Sequence, residues 1–148
     1  MAVATDFQSI LSNNNITIYD FDPDSANATD VAWVDMRDYD SIVIAFFRTV
    51  GTGNLDTFAL LANDQSDGSG TDVTVKAKTV SSEPNAVGDY LFLEVSASEI
   101  RQACEAAGVA GRYVSCSAEF QTSTDEGVIV YIRRGLQKKL NLSADTIA

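Results

Sequence analysis

The stretch SIVIAFFRTVGTGNLDTFALLAN, residues 41–63, decides the fold class of this chain. Successive side chains of an extended strand point to opposite faces. The first eight residues of this stretch, 41–48, form a strand that is apolar on both faces. The two faces are Ile42, Ile44 and Phe46 on one side, and Val43, Ala45 and Phe47 on the other. Such a strand belongs inside a sandwich of sheets and not at its rim. A glycine turn then joins it to a second apolar strand, Leu55 to Asn63.

Further short strands with turn signals between them continue the pattern on both sides of this pair. They are residues 16–19, 31–36, 71–79, 90–95, 112–121 and 128–133. One helix interrupts them, because Ser96 and Glu99 form a capping box, apolar residues follow at helical spacing, and Gly108 ends the pattern. The sequence therefore predicts an all-β fold, an antiparallel and jelly-roll-like β-sandwich with one short helix near residues 97–107.

Length predicts a single domain. A chain of 148 residues is long enough to bury its own core, and we expect one β-sandwich domain over residues 1–148. Residues 1–14 form a possible extended N-terminal arm, and residues 134–148 a possible extended C-terminal tail. The start of the chain lacks the pattern of a secretory signal, and no apolar run is long enough to span a bilayer. We therefore expect a soluble product made in a cytoplasm.

Charge is unevenly distributed. The net charge of −11 argues against general nucleic-acid binding, which needs clustered Lys and Arg. Residues 1–40 are strongly acidic, whereas the sign reverses from Arg133 onward. Ends of opposite charge suggest contacts between copies or docking on a charged lattice, and solvated ends that keep the protein soluble are the alternative. The candidate partner-binding residues are Asp20, Asp22, Asp24, Arg133, Arg134, Leu136, Lys138, Lys139 and Leu140.

Residues that carry chemistry are scarce. The chain has no histidine, which excludes histidine-based catalysis and histidine-bound zinc within one chain. Cys104 and Cys116 are expected to be buried free thiols. The loop from Asn63 to Gly68 imitates half of a calcium-binding EF-hand loop, but Thr74 stands where a bidentate Glu is needed, so we interpret it as a turn. We expect no enzyme, no cofactor and no metal.

Aromatic residues allow one more interpretation. Several of them could line a sugar-binding platform, but most lie at core-facing strand positions, so packing is the default interpretation. They are Trp33, Tyr39, Phe46, Phe47, Tyr90, Phe92 and Tyr113.

The order of these segments resembles a known family. The segments are VDMRDYDSIVIAFFR (34–48), LDTFALLANDQSDGSG (55–70), DYLFLEVSASEIR (89–101) and GRYVSCSAEF (111–120). Together they resemble small structural proteins of tailed bacteriophages, above all the capsid decoration, or cement, proteins on the outside of the head. The resemblance covers residues 30–133. The acidic segment before it and the tail after Arg134 have no counterpart in that pattern.

The resemblance implies a binding function. It implies a non-enzymatic virion protein that binds the outer surface of the capsid and stabilises contacts between major capsid subunits. Its partners would be the major capsid protein and copies of itself, with a trimer as one arrangement, and neither nucleic acid nor membrane. Its location would be the capsid surface, after synthesis in the host bacterial cytoplasm. A phage tail or neck component is the alternative, and a carbohydrate- or calcium-binding β-sandwich module is a further one.

Overall fold

The computed structural model describes residues 14–21, 27–28, 32–80, 86–120 and 124–135. The predicted arm before residue 14, Asp22, Asp24 and the tail from Leu136 onward lie outside these ranges. The strands are β1 (Asn14–Phe21), β2 (Asn27–Ala28), β3 (Val34–Asp35), β4 (Ser41–Val50), β5 (Leu55–Asn63), β6 (Val73–Lys78), β7 (Tyr90–Ser96), β8 (Tyr113–Phe120) and β9 (Glu126–Arg134). Helix α1 (Ala97–Ala107) lies between β7 and β8.

Two antiparallel sheets form the fold. The first has four strands in the order β1-β9-β4-β7. In the second, β8 pairs with β5, which pairs with β6, while the short strands β2 and β3 share the other edge of β8. This is the strand order of a jelly roll, in which two Greek keys build a double sheet. The all-β sandwich prediction is therefore confirmed, and β4 is a central strand, as its apolar sequence predicts.

The core lies between the inner faces of the two sheets. Phe46 at its centre is fully buried, and its ring centroid is 5.5 Å from that of Phe120 and 6.5 Å from that of Phe58. All four inward residues of β8 are buried, namely Val114, Cys116, Ala118 and Phe120. Ser115 and Ser117, on its other face, are buried as well.

Helix α1 closes one end of this core. Ser96 Oγ accepts the backbone N–H of Glu99 at 3.2 Å, and the Glu99 carboxylate accepts the N–H of Ser96 at 2.8 Å. This is the predicted capping box. The helix ends at Gly108, whose φ of 70° lies in the left-handed region that glycine favours. Ile100 and Cys104 face inward and are buried, so the helix packs its apolar side on the open end of the sandwich.

The structure corrects two predictions. Regular alternation over residues 71–79 predicts that Ala77 faces inward with Val73 and Val75. Ala77 is exposed instead, because the register between β5 and β6 shifts at Leu60 and Leu61, which changes the face on which the later residues of β6 lie. Phe47, Tyr90 and Phe92 also depart from the expected packing in the core. They lie exposed on the outer face of the four-stranded sheet, since they alternate with the inward residues of β4 and β7.

A further difference is the shortness of β3, which holds only two residues of the predicted 31–36. Because β3 pairs at Val114 and β2 at Ala118, neither strand reaches the backbone N–H of Cys116. That N–H donates instead to the hydroxyl of Tyr131, at 3.1 Å, from across the core. The hydroxyl thus satisfies a buried donor at the gap between two short strands.

Removing that hydroxyl should destabilise the fold. Tyr131→Phe keeps the buried ring but leaves the Cys116 N–H without this acceptor, and the expected loss is about 1–3 kcal/mol in the free energy of unfolding. Urea denaturation measures it. Tyr90→Phe is the matched control, since it removes the same atom from an exposed ring. Equal stability of the two variants would contradict the role given to Tyr131.

Candidate protein-docking site

Half of the basic residues of the chain gather at one end of the sandwich. They are Arg37, Arg101, Arg112, Arg133 and Arg134, five of ten Lys and Arg. The end is formed where β9 finishes, β4 begins, β7 passes into α1, and β8 begins beside β3. We call it the basic end. Asp35, Asp38, Asp40, Glu94 and Glu99 lie at the same end, so it is rich in arginine and close to neutral, whereas the net charge of the whole chain is −11.

Asp35 organises three of these arginines. Its carboxylate accepts Arg112 Nε at 3.0 Å and the backbone N–H of Arg37 at 2.9 Å. Its carbonyl oxygen accepts Arg133 Nη1 at 2.9 Å. Hydrogen bonds from Arg112 to Asp35 raise the pKa of the guanidinium. Because both groups of the ion pair are more than one-third exposed, it orients Arg112 more than it stabilises the fold.

Aromatic rings hold two guanidinium groups in place. Arg112 lies over the ring of Tyr113 and Arg133 over that of Tyr39, each 4.8 Å from the ring centroid. Both distances are within the range of cation–π attraction. Arg112 and Arg133 are therefore held in orientation before any partner arrives, which reduces the entropy that they lose on binding.

An open cavity of ≈ 450 Å³ lies among these residues. Met36 and Ile100 provide buried apolar surface there, while Arg37, Arg101 and Arg112 bring charge. Arg37 and Arg101 are exposed, and neither forms a salt bridge among the described residues. An apolar floor with cations around it suits an acidic segment that also carries an apolar side chain.

The structure places three of the predicted partner-binding residues, and they lie in different parts of the fold. Arg134 is exposed at the basic end and pairs with Glu94 at 2.8 Å. Arg133 is half-buried, and its contacts are with Asp35 and Tyr39 inside the fold. Asp20 lies in β1 opposite Val128. The remaining residues of that set lie outside the described part of the chain, namely Asp22, Asp24, Leu136, Lys138, Lys139 and Leu140.

Sequence reasoning missed three arginines of this end. Arg37, Arg101 and Arg112 are far apart in the sequence, and none has another basic residue next to it. Each borders or lies on an element that reaches the same end of the sandwich as the last residue of β9. Only the strand order places these three arginines at one end, because an antiparallel strand starts where its neighbour finishes.

The loop after β5 forms a turn, as predicted. Asn63 Oδ1 accepts the N–H of Gln65 at 2.8 Å, and its amide donates to Asp72 at 2.6 Å. Asp67 accepts both the N–H and the hydroxyl of Ser69, and these bonds lower the pKa of its carboxyl. In the described ranges, no cluster of three or more His, Cys, Asp or Glu could hold a metal ion.

Both cysteines are buried free thiols, as predicted. Burial raises the pKa of Cys104 and of Cys116, because desolvation disfavours the thiolate. A protonated, buried thiol is a poor nucleophile. The cysteines therefore have the character of core residues.

No protein-family model and no curated protein sequence matches the chain. Among solved structures, the SPBc2 prophage-derived protein YomS is similar over 80% of this chain and 93% of its own, with 9% identity and a TM-score of 0.42. The Yersinia pseudotuberculosis-derived mitogen is similar over 86% and 90%, with 9% identity and a TM-score of 0.43. A chain of sacbrood virus of honeybee is similar over 94% and 91%, with 8% identity and a TM-score of 0.41. Likenesses at these values assign neither a family nor a function.

Within the described ranges, no helix has both the length and the apolar character needed to cross a bilayer.

Proposed function

We propose that this chain is a non-enzymatic structural protein of a tailed-phage virion, which binds the outer surface of the capsid and stabilises contacts between major capsid subunits. The observation that carries the proposal is the basic end, where Arg37, Arg101 and Arg134 are exposed on an otherwise acidic sandwich. The segment order that resembles capsid decoration proteins supports the same function.

The geometry of the basic end suits attachment to a protein lattice. The guanidinium of Arg112 is held by Asp35 and Tyr113, and the cavity beside it offers apolar surface to a partner side chain. Complementary charge steers the approach and sets the orientation of docking. When several copies engage one lattice, weak single contacts add to strong attachment through effective concentration.

The absence of histidine and the burial of both thiols support a binding function. The chain has no histidine, and its two thiols are buried with raised pKa values. Nucleophilic and acid–base mechanisms need an accessible nucleophile beside a base or a positioned proton carrier. The basic end instead presents guanidinium groups, which bind a partner through charge and hydrogen bonds.

Purified protein added to phage heads that lack it tests the proposal. The variant Arg37→Glu with Arg101→Glu should bind heads at least about tenfold more weakly, because two cations facing the partner become anions. The control is Thr49→Glu with Thr52→Glu, which adds negative charge at exposed residues at the other end of β4, away from the cavity. Binding should weaken as salt is raised.

Two results would overturn the proposal. One is equal occupancy of heads by the arginine variant and its threonine control. The other is electron microscopy of virions that finds the protein on the tail or neck and not on the head, which would favour the alternative component.

A truncated variant tests the C-terminal tail. Removal of residues 137–148, which follow Arg134 closely, is expected to weaken attachment to heads while the fold is kept.

A further inference from the structure

The outer face of the four-stranded sheet is largely apolar, and in the described ranges no strand or helix covers it. Its most exposed members are Ile16, Ile18, Phe47, Tyr90 and Phe92, which are 51%, 68%, 43%, 62% and 55% accessible to solvent. We call this set, with the aliphatic residues between them, the apolar face. The register makes it continuous, because one row crosses all four strands from Ile18 through Val130 and Ala45 to Phe92.

The fold itself does not explain these residues. The core of the sandwich is filled by the opposite face, where Ile42, Ile44 and Phe46 are buried. Antiparallel sheets with one solvated face usually alternate apolar and polar residues, and this sheet does not. Isolated apolar residues on a surface are ordinary, whereas a contiguous set marks a site of interaction.

The size of the apolar face fits the centre of a protein interface. Aromatic side chains bury 150–250 Å² each when covered, so three of them about half exposed present roughly 300 Å². Ile16 and Ile18 bring the total to roughly 400 Å². The largest apolar patch on a typical monomer is about 300–600 Å², and a stable interface buries about 800 Å² on each partner, of which the apolar part is the core.

Charge around the apolar face allows a second copy to approach, despite the net charge of −11. Glu94 and Arg134, at one end of the face, neutralise each other at 2.8 Å. Lys78 lies 5.5 Å from the centroid of the Phe92 ring. A copy that docks here meets an ion pair, a cation and the Asp20 position of β1, which shares a row with Tyr90. Charges of both signs therefore surround the face, which reduces like-charge repulsion between two acidic copies.

Shape also favours a second copy. Two sheets pack face to face about 10 Å apart, with their strand directions close to aligned. A two-fold axis parallel to the strands lays β7 of one copy over β1 of its partner. The large ring of Phe92 then meets the smaller side chain of Ile18, since the two residues lie in the same row of the register. Both copies bury the same residues, as an isologous interface requires.

From these observations we infer that the chain forms a two-fold dimer in which the apolar faces of two copies pack against each other. The dimer buries the apolar face, which shares only Arg134 with the basic end, so both copies keep Arg37, Arg101 and the cavity beside them open. It therefore goes beyond the docking proposal, and either one can fail while the other stands.

Sedimentation velocity of the full chain over a micromolar concentration series tests the dimer. The wild type should dimerise, and its dimer should tighten as salt screens the repulsion between two acidic copies. Docking through the basic end should instead weaken with salt, so salt separates the two surfaces. Phe92→Lys and Ile18→Lys, on the two edges of the face, should each raise the dissociation constant by about 30-fold or more.

Val87→Lys is the matched control, because Val87 is 65% exposed, lies in the loop before β7 and gains the same charge. It should leave the dimer unchanged, and circular dichroism should show all three variants folded. A wild type that stays monomeric or sediments as a trimer would overturn the inference. So would a dimer that survives Phe92→Lys and Ile18→Lys, or a monomer whose Tyr90 responds to oligosaccharides, which would assign the face to sugars.

Discussion

Asp125→Ala is expected to lower the free energy of unfolding by about 3–5 kcal/mol, because it leaves a buried guanidinium without its carboxylate. The Arg48 and Asp125 side chains are 0% and 2% exposed, and Arg48 Nη1 lies 3.0 Å from Asp125 Oδ2. Arg48 also donates to the carbonyls of Val50 and Gly53 and lies 5.0 Å from the centroid of the Phe120 ring. A cation this enclosed cannot regain water when its partner is lost.

Urea denaturation of three variants checks this result. Asp64→Ala, which removes an exposed carboxylate, should change stability by less than about 0.5 kcal/mol. Arg48→Met combined with Asp125→Ala should be more stable than Asp125→Ala alone, since it removes the unpaired charge. If Asp125→Ala costs no more than Asp64→Ala, Arg48 does not depend on this carboxylate.

The turn between β4 and β5 is shaped around the same pair. Gly51 has a φ of 92°, in the region that disfavours L side chains. A Cβ at that position would lie 1.7 Å from Asp125 Oδ1. The glycine that marks this turn in the sequence therefore also makes room for the buried carboxylate.

Phe46→Ala should have an effect of similar size, about 3–5 kcal/mol, because it opens a cavity among large side chains that cannot collapse fully. The Phe46 ring is 0% exposed and packs against Phe58 and Phe120. It also lies over Gly127 of β9, where a Cβ would come within 2.2 Å of the ring. The ring thus joins both sheets at one point.

Phe47→Ala provides the comparison, since it makes the same change at the next residue. Phe47 is 43% exposed on the outer face, so its truncation should cost much less in dilute protein. Guanidinium denaturation at fixed low concentration measures both variants. Similar losses for the two would mean that the alternation of β4 does not separate core from surface.

Local signals in the sequence predict the helix and the strand pair closely. Helix α1 has the predicted bounds, because its start is set by Ser96 and Glu99 and its end by Gly108, all within the element itself. The pair β4 and β5 follows from apolar runs around a glycine turn. Each of these features depends on neighbours in the chain, so composition and spacing are enough to find it.

Features that depend on distant residues were not predictable in the same way. Alternation in β4 and β7 shows that both faces are apolar, but it does not say that Phe47 and Phe92 lack a covering layer. The basic end needs the strand order, since Arg37, Arg101 and Arg112 are far apart in sequence. The bulge in β6 that turns Ala77 outward has no local marker such as glycine.

Pairing of β1 with β9 also sets a time order for folding in the cell. Asn14 pairs with Arg134, and Ile18 with Val130, so β1 cannot form this pairing until β9 has been synthesised. At 5–20 residues per second, the ribosome needs roughly 6–24 s between these positions, whereas folding of comparable β proteins takes milliseconds to seconds. The four-stranded sheet can therefore close only after β9 has emerged, and until then β1 presents an unpaired edge that nascent-chain chaperones can bind.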